Sequence, residues 1–158
     1  MLDLIGAPAG TLIVAPASDE DWYLNLLWID RRKCVLLTHA GTLFSVFRAG
    51  VSVSRLRAVG TYVALLIEEE LRAEGLPTRT FGQLAPESLR LARTASRSTL
   101  GFMNDMALHL RYQVARAGGI DRCDTLKLNA QLRRTLHNRG GYVTPLDLVV
   151  QRCGVSTG

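Results

Sequence analysis

Residues 22–47 read WYLNLLWIDRRKCVLLTHAGTLFSVF, and the fold class follows from how this stretch divides. Trp22 to Ile29 is aromatic, branched and uncharged, the composition of a strand, and Asp30-Arg31-Arg32-Lys33 interrupts it with a polar turn. Cys34 to Thr38 resumes as an apolar run. His39-Ala40-Gly41 makes a short connection, after which Thr42 to Phe47 alternates Leu43, Ser45 and Phe47 against Thr42, Phe44 and Val46. Three antiparallel strands in a meander are expected.

Downstream the period changes. Leu56, Val59, Val63, Leu66, Ile67 and Leu71 recur at helical spacing, with Ser52 as N-cap and Gly75 followed by Pro77 as the stop. The acidic run Glu68-Glu69-Glu70 reads as a solvated face or, alternatively, as an offset for an Arg group elsewhere. Glu87 to Thr94 fits period two or a short helix and is taken as a short strand. Leu100, Met103, Ala107, Leu110 and Val114 mark a buried helical stripe between Ser98 and Ala117, ended by Gly118-Gly119. Asp124 caps a further helix with a Leu128, Leu132, Leu136 seam, and Gly140-Gly141 is expected to end it after Arg139. Leu146 to Val150 closes the chain as a short helix or strand. The fold class is therefore α+β: an antiparallel β-meander packed against about three longer α-helices.

A chain of 158 residues suggests a single domain over 1–158, with a loose Pro/Gly/Ala-rich segment at 1–17. With 47% hydrophobic and 21% charged residues it buries a core without metal or disulfide, and no window approaches the ~20 continuous apolar residues of a bilayer span. The three cysteines are an odd number with no C-x-x-C spacing, and the N-terminus lacks a secretory pattern, which points to a reducing cytoplasm and no membrane. His and Cys are scattered singly, and there is no Walker loop, G-x-G-x-x-G or H-E-x-x-H, so no metal or other cofactor is expected.

The net charge of +5 is unevenly distributed: residues 1–79 hold eight basic and nine acidic groups, residues 80–158 eleven and five. Seventeen of the nineteen cations are Arg. A one-sided basic field favours a polyanion, either nucleic acid or an acidic protein.

Three segments could carry chemistry. In Thr94 to Met106, Ser and Thr hydroxyls precede a helix whose N-terminus attracts anions, and Arg97 adds a phosphate fork. Arg97, Asn104 and Arg111 repeat every seven residues on one stripe, with Asp105 and His109 one turn apart beside it. Asn and Asp are poor mid-helix residues, which implies a tertiary partner for Asn104 and Asp105, such as Arg31 or Arg32 for Asp105. The second segment, Asp30-Arg31-Arg32-Lys33, could join Arg97 and Arg111 in a basic groove with Trp22, Tyr23 or Trp28 as a stacking face. The third, Arg133 to Arg139, places cations where they complement a helix C-terminus. For catalysis, His39 or His109 as base and Arg97 as clamp would suit a metal-independent ribonuclease.

Arg31-Arg32-Lys33, Thr42-Leu43-Phe44-Ser45 and Ser96-Arg97-Ser98-Thr99-Leu100-Gly101 with Met103-Asn104-Asp105 together resemble a bacterial family catalogued only as a domain of unknown function. Its signature is an RRK turn, a TLFS strand and an SRSxLGxMND segment. The resemblance covers about residues 20–150. It marks Arg31, Arg32, Asn104 and Asp105 as pattern positions without supplying a reaction. The expected function is binding of nucleic acid or another polyanion through the basic C-terminal half, with a ribonuclease-like toxin or a module for an acidic protein as the alternatives.

Overall fold

The computed structural model describes residues 1–154. Strands β1 (Trp22–Ile29), β2 (Arg32–His39) and β3 (Ser45–Arg48) form an antiparallel sheet in that order. Ile29 pairs with Arg32 and Trp22 with His39, so the turn is only Asp30-Arg31, and Arg32 and Lys33 already belong to β2. Both turn residues hold positive φ, 49° and 60°, which suits a two-residue turn matched to strand twist. The third strand starts later than its alternation suggests. Leu43 holds φ 57°, and Phe44 N donates to the Thr42 hydroxyl, so Thr42 to Phe44 form the connection.

Alternation along the strands separates two cores. Tyr23, Leu27, Ile29, Cys34, Leu36 and Phe47 face α4 (Arg97–Ala117) and α5 (Thr125–Arg134), meeting Met103, Leu110, Leu128 and Leu132. Val35, Leu37, Phe44 and Val46 face the other way. They meet Ile5 of α1 (Leu2–Ile5), Leu56 of α2 (Val53–Arg57), Ile67 and Leu71 of α3 (Val59–Ala73), and Val149 of α6 (Pro145–Arg152). The fold is α+β, with helices covering both faces of the meander and α3, α4 and α5 as the longest.

Local chemistry sets the boundaries. The Ser52 hydroxyl caps α2, accepting from Arg55 N at 3.4 Å. The helix then breaks at Ala58 (φ −97°, ψ 43°), so one expected helix is two. Glu87 to Thr94 is not a strand: Pro86–Ser88 form one 3-10 turn, and the only pairing is a parallel bridge between Ile13 and Ala92. Helix α5 ends at Arg134, five residues before the expected stop. The Thr135 hydroxyl bonds back to the Gln131 carbonyl at 2.9 Å, and the chain turns extended. Gly140, at φ 75°, instead turns a small hairpin between β4 (His137–Asn138) and β5 (Tyr142–Val143). Thr144 and Asp147 form a capping box that starts α6. Among the described residues no helix is long and apolar enough to cross a membrane.

Candidate functional site

Helix α4 anchors the region where most candidate residues lie. The Ser96 hydroxyl accepts from Thr99 N at 3.2 Å, and Ser96 N donates to the Tyr23 hydroxyl at 3.0 Å, tying the helix start to the start of β1. Thr99, Met103, Met106, Ala107, Leu110 and Val114 form the buried stripe. Arg97, Asn104, Asp105 and Arg111 lie on the opposite, exposed side. The seven-residue repeat of Arg97, Asn104 and Arg111 thus does share one open stripe.

The stripe does not gather its cations into one cleft. At ~1.5 Å per residue, Arg97 and Arg111 are ~21 Å apart along the axis. Arg111 sits at the hairpin end, where its Nη1 donates to the Trp28 carbonyl at 2.7 Å. The Lys33 ammonium lies 5.7 Å from the Trp28 ring centroid, and exposed Arg31 follows in the turn. Lys33 and Arg111 therefore both reach Trp28, one at its ring and one at its carbonyl, and Arg97 stands apart. Arg32 pairs with Asp121 at 2.8 Å rather than with Asp105. Among the described residues Asn104 and Asp105 hydrogen-bond to no other side chain, so the tertiary partner expected for them is not found there. Of the proposed stacking rings, Tyr23 is buried and Trp22 packs edge-on against Phe81 and His39. Trp28 is 53% exposed.

The candidate catalytic groups are dispersed. His39 is fully buried on the α3 side of the sheet, against Trp22, Phe81 and Phe44's neighbourhood, whereas Arg97 and His109 belong to α4 on the other side. Thr42 N donates to His39 Nδ1 at 3.3 Å, which leaves the ring proton on Nε2, where among the described residues no acceptor lies within hydrogen-bond distance. Burial pushes the His39 pKa down to about 4, so the ring is neutral at pH 7. His109 lines an open groove between α4 and α5 with Gln113, Lys127, Gln131 and Arg134. It is twelve positions from Arg97, ~18 Å along the helix. The structure does not bring His39, His109 and Arg97 together.

Sequence reasoning allowed the acidic run of α3 to offset an Arg elsewhere but did not find the buried charged cluster that Glu70 forms. Arg133, 1% exposed, donates to Glu70 Oε2 at 3.0 Å from both terminal nitrogens and to Glu74 through Nε at 2.8 Å. Asn129 donates to Glu70 Oε1 at 2.9 Å, accepts from Phe47 N at 2.7 Å and donates to Phe47 O at 3.1 Å. The Arg133 guanidinium also lies 5.0 Å from the Phe44 ring centroid. Arg134 binds Glu74 from the solvent side at 2.6 Å, and Arg152 binds Glu20 at 2.7 Å. Burial raises the Glu74 carboxyl, but hydrogen bonds and charge from Arg134 and Arg133 outweigh it and hold its pKa below the usual range. The available signal was Glu70 itself, which falls on the apolar stripe of α3 beside Ile67 and Leu71.

This pairing sorts the arginines of the basic half. Arg133, Arg134 and Arg152 are neutralised by acids of the first half, Glu70, Glu74 and Glu20. Among the described residues the other seven form no ion pair and are exposed: Arg122 and Arg139 lie beyond α4, and Arg90, Arg93, Arg97, Arg111 and Arg116 lie on it or just before it. Fold and site together define a small α+β protein with a buried Glu–Arg–Asn staple on one side and an uncompensated arginine face along α4. The chain belongs to the family described as Domain of unknown function (DUF6933), whose model matches residues 4–148. That match reaches further towards the N-terminus than the 20–150 expected, into a segment where Ile5 is buried in the core. No curated protein matches the chain.

Proposed function

We propose that this protein binds single-stranded nucleic acid across the outward face of α4 and the strap that precedes it. The sorting of the arginines supports the reading: of the seven arginines of the basic half without an ion partner among the described residues, five lie on α4 and the strap of residues 89–96 before it, with Asp105 as the sole acid of that helix. Guanidinium forks suit phosphate bidentately. Tyr112, 61% exposed between Arg111 and Arg116, adds a ring face on which a base can stack.

The test is an anisotropy titration of a fluorescent single-stranded RNA at about 50 mM salt, where phosphate contacts count most. Arg97→Gln, Arg111→Gln and Arg116→Gln combined are expected to weaken binding by more than roughly 30-fold. Arg152→Gln, which removes a cation already held by Glu20, should change affinity less than about twofold. No binding by the unaltered protein, or equal losses in both variants, would remove the proposal. Preference for duplex over single strand would retain the basic face and reject the stacking role of Tyr112.

A further inference from the structure

We propose that the chain self-associates as a two-fold dimer in which β1 pairs antiparallel with β1 of a second copy, joining two three-stranded sheets into one of six strands. The two edges of the sheet are treated differently. At β3 the α5 side chains close the edge: Asn129 takes both Phe47 backbone groups, and Arg133 donates to the Ser45 carbonyl at 3.3 Å. At β1 the edge is open. Ile29 and Arg32 flank a two-residue turn, so odd-numbered residues of β1 exchange ladder bonds with β2, and even-numbered ones aim N–H and C=O outwards. The bond from Arg111 to the Trp28 carbonyl agrees with that alternation. Among the described residues nothing bonds to the outward backbone groups of Leu24 and Leu26. An uncharged eight-residue edge of this kind is a template for another strand.

Self-complementarity selects a second copy as the occupant. Antiparallel pairing about Asn25 sets Leu24 opposite Leu26 in both directions, with all four outward groups satisfied. The same register sets Asp19 of each copy opposite Arg31 of the other, while the like-charged neighbours Glu20 and Asp30 are held within their own chain by Arg152 and by Ile120 N. Neither Asp19, Asp21 nor Arg31 is ion-paired within the described chain.

Helix α4 overhangs the same edge. The reach of Arg111 to Trp28 shows which side of the helix faces outwards, and Arg97, Leu100, Asn104 and Leu108 share that side through the helical period. Leu100 is 40% and Leu108 67% exposed, so this side of α4 presents two uncovered apolar side chains. In a six-stranded sheet the two α4 helices, each resting over β1 and β2, lie about two strand spacings or ~10 Å apart, the separation of packed helices. Leu100 then meets the second copy's Leu108, with Asn104 at the axis. Arg97 approaches the second copy's Arg111 at each end, where the guanidinium groups stay on the rim of the Leu100–Leu108 contact, open to phosphate, and salt or a bound polyanion screens their repulsion.

Sedimentation velocity of the full chain without nucleic acid keeps this test separate from the binding proposal. A species of twice the 17.4 kDa chain mass is expected in the micromolar range. Leu108→Glu should raise the dissociation constant more than roughly tenfold. Asn25→Asp, nearly isosteric, sets two carboxylates together on the axis and should do the same. Hydrogen exchange at the Leu24 and Leu26 amides should slow as concentration rises. A chain that stays monomeric throughout, or a dimer indifferent to both variants with those amides unprotected, would overturn the proposal. Protection that appears only when an extended peptide is added would replace the second copy with a strand from another protein.

Discussion

Arg133→Met is expected to lower the unfolding free energy by about 3–5 kcal/mol, because it leaves Glu70 charged, buried and without its counter-ion. Glu70 is 1% exposed, and what remains beside it is the Asn129 amide and Arg48 at 3.6 Å. Neither replaces a guanidinium that donates to it twice at 3.0 Å. The loss also reaches the sheet edge, since Arg133 serves the Ser45 carbonyl and packs over Phe44. Adding Glu70→Leu to Arg133→Met should recover a large part of the loss, because a buried pair replaced by apolar groups of similar volume is close to neutral. Urea unfolding of the two variants checks this. A single-variant loss under about 1 kcal/mol, the range of an exposed pair, would mean that the staple is solvated in solution.

The second large effect is with pH and comes from His39. Its pKa is about 4 in the folded chain, lowered chiefly by burial and further by the Arg152 charge, with Glu20, Asp19 and Asp21 acting in the opposite direction. In the unfolded chain an ordinary histidine titrates near 6.5. The unfolded state therefore binds the extra proton first. Stability is complete above about pH 6.5 and falls as pH drops towards 4, by about 2 kcal/mol at pH 5 and about 3 kcal/mol at the lower limit. His137, also lowered by burial, acts with the same sign. Denaturant unfolding at pH 7 and pH 5 measures the difference, and His39→Asn, which keeps an acceptor for Thr42 N but cannot titrate, should reduce it by more than half. Equal stability of the unaltered protein at the two pH values would contradict a neutral buried ring.

How far the sequence could be read depended on whether a feature was local. Trp22 to Ile29 was legible residue by residue, because an uncharged aromatic run before a polar turn has few other uses, although the turn read as Asp30 to Lys33 is only Asp30-Arg31. The Arg97, Asn104, Arg111 stripe was legible for the same reason, since helical spacing within one element needs no partner. The end of α5 was not: Gly140-Gly141 has the chemistry of a helix stop, and only the hairpin pairing of His137 with Val143 shows it to be a strand turn. Leu136, read as core seam, is 64% exposed, and the seam passes instead through Asn129 and Arg133. The staple itself joins residues about sixty positions apart, and no local pattern announces that a glutamate on an apolar stripe will meet an arginine on another helix. The same pairing explains why the basic half was misleading as a whole. Its charge excess counts cations that the fold neutralises together with those that it leaves open.

The salt dependence of binding tests this division most directly. With five phosphate contacts from Arg90, Arg93, Arg97, Arg111 and Arg116, log K for single-stranded RNA should fall with log salt at a slope near −3.5. Removing Arg97, Arg111 and Arg116 should bring the slope to about −1.4, and removing Arg134 and Arg152 should leave it unchanged. A flat dependence, or a slope lost with Arg134 and Arg152 instead, would contradict the account.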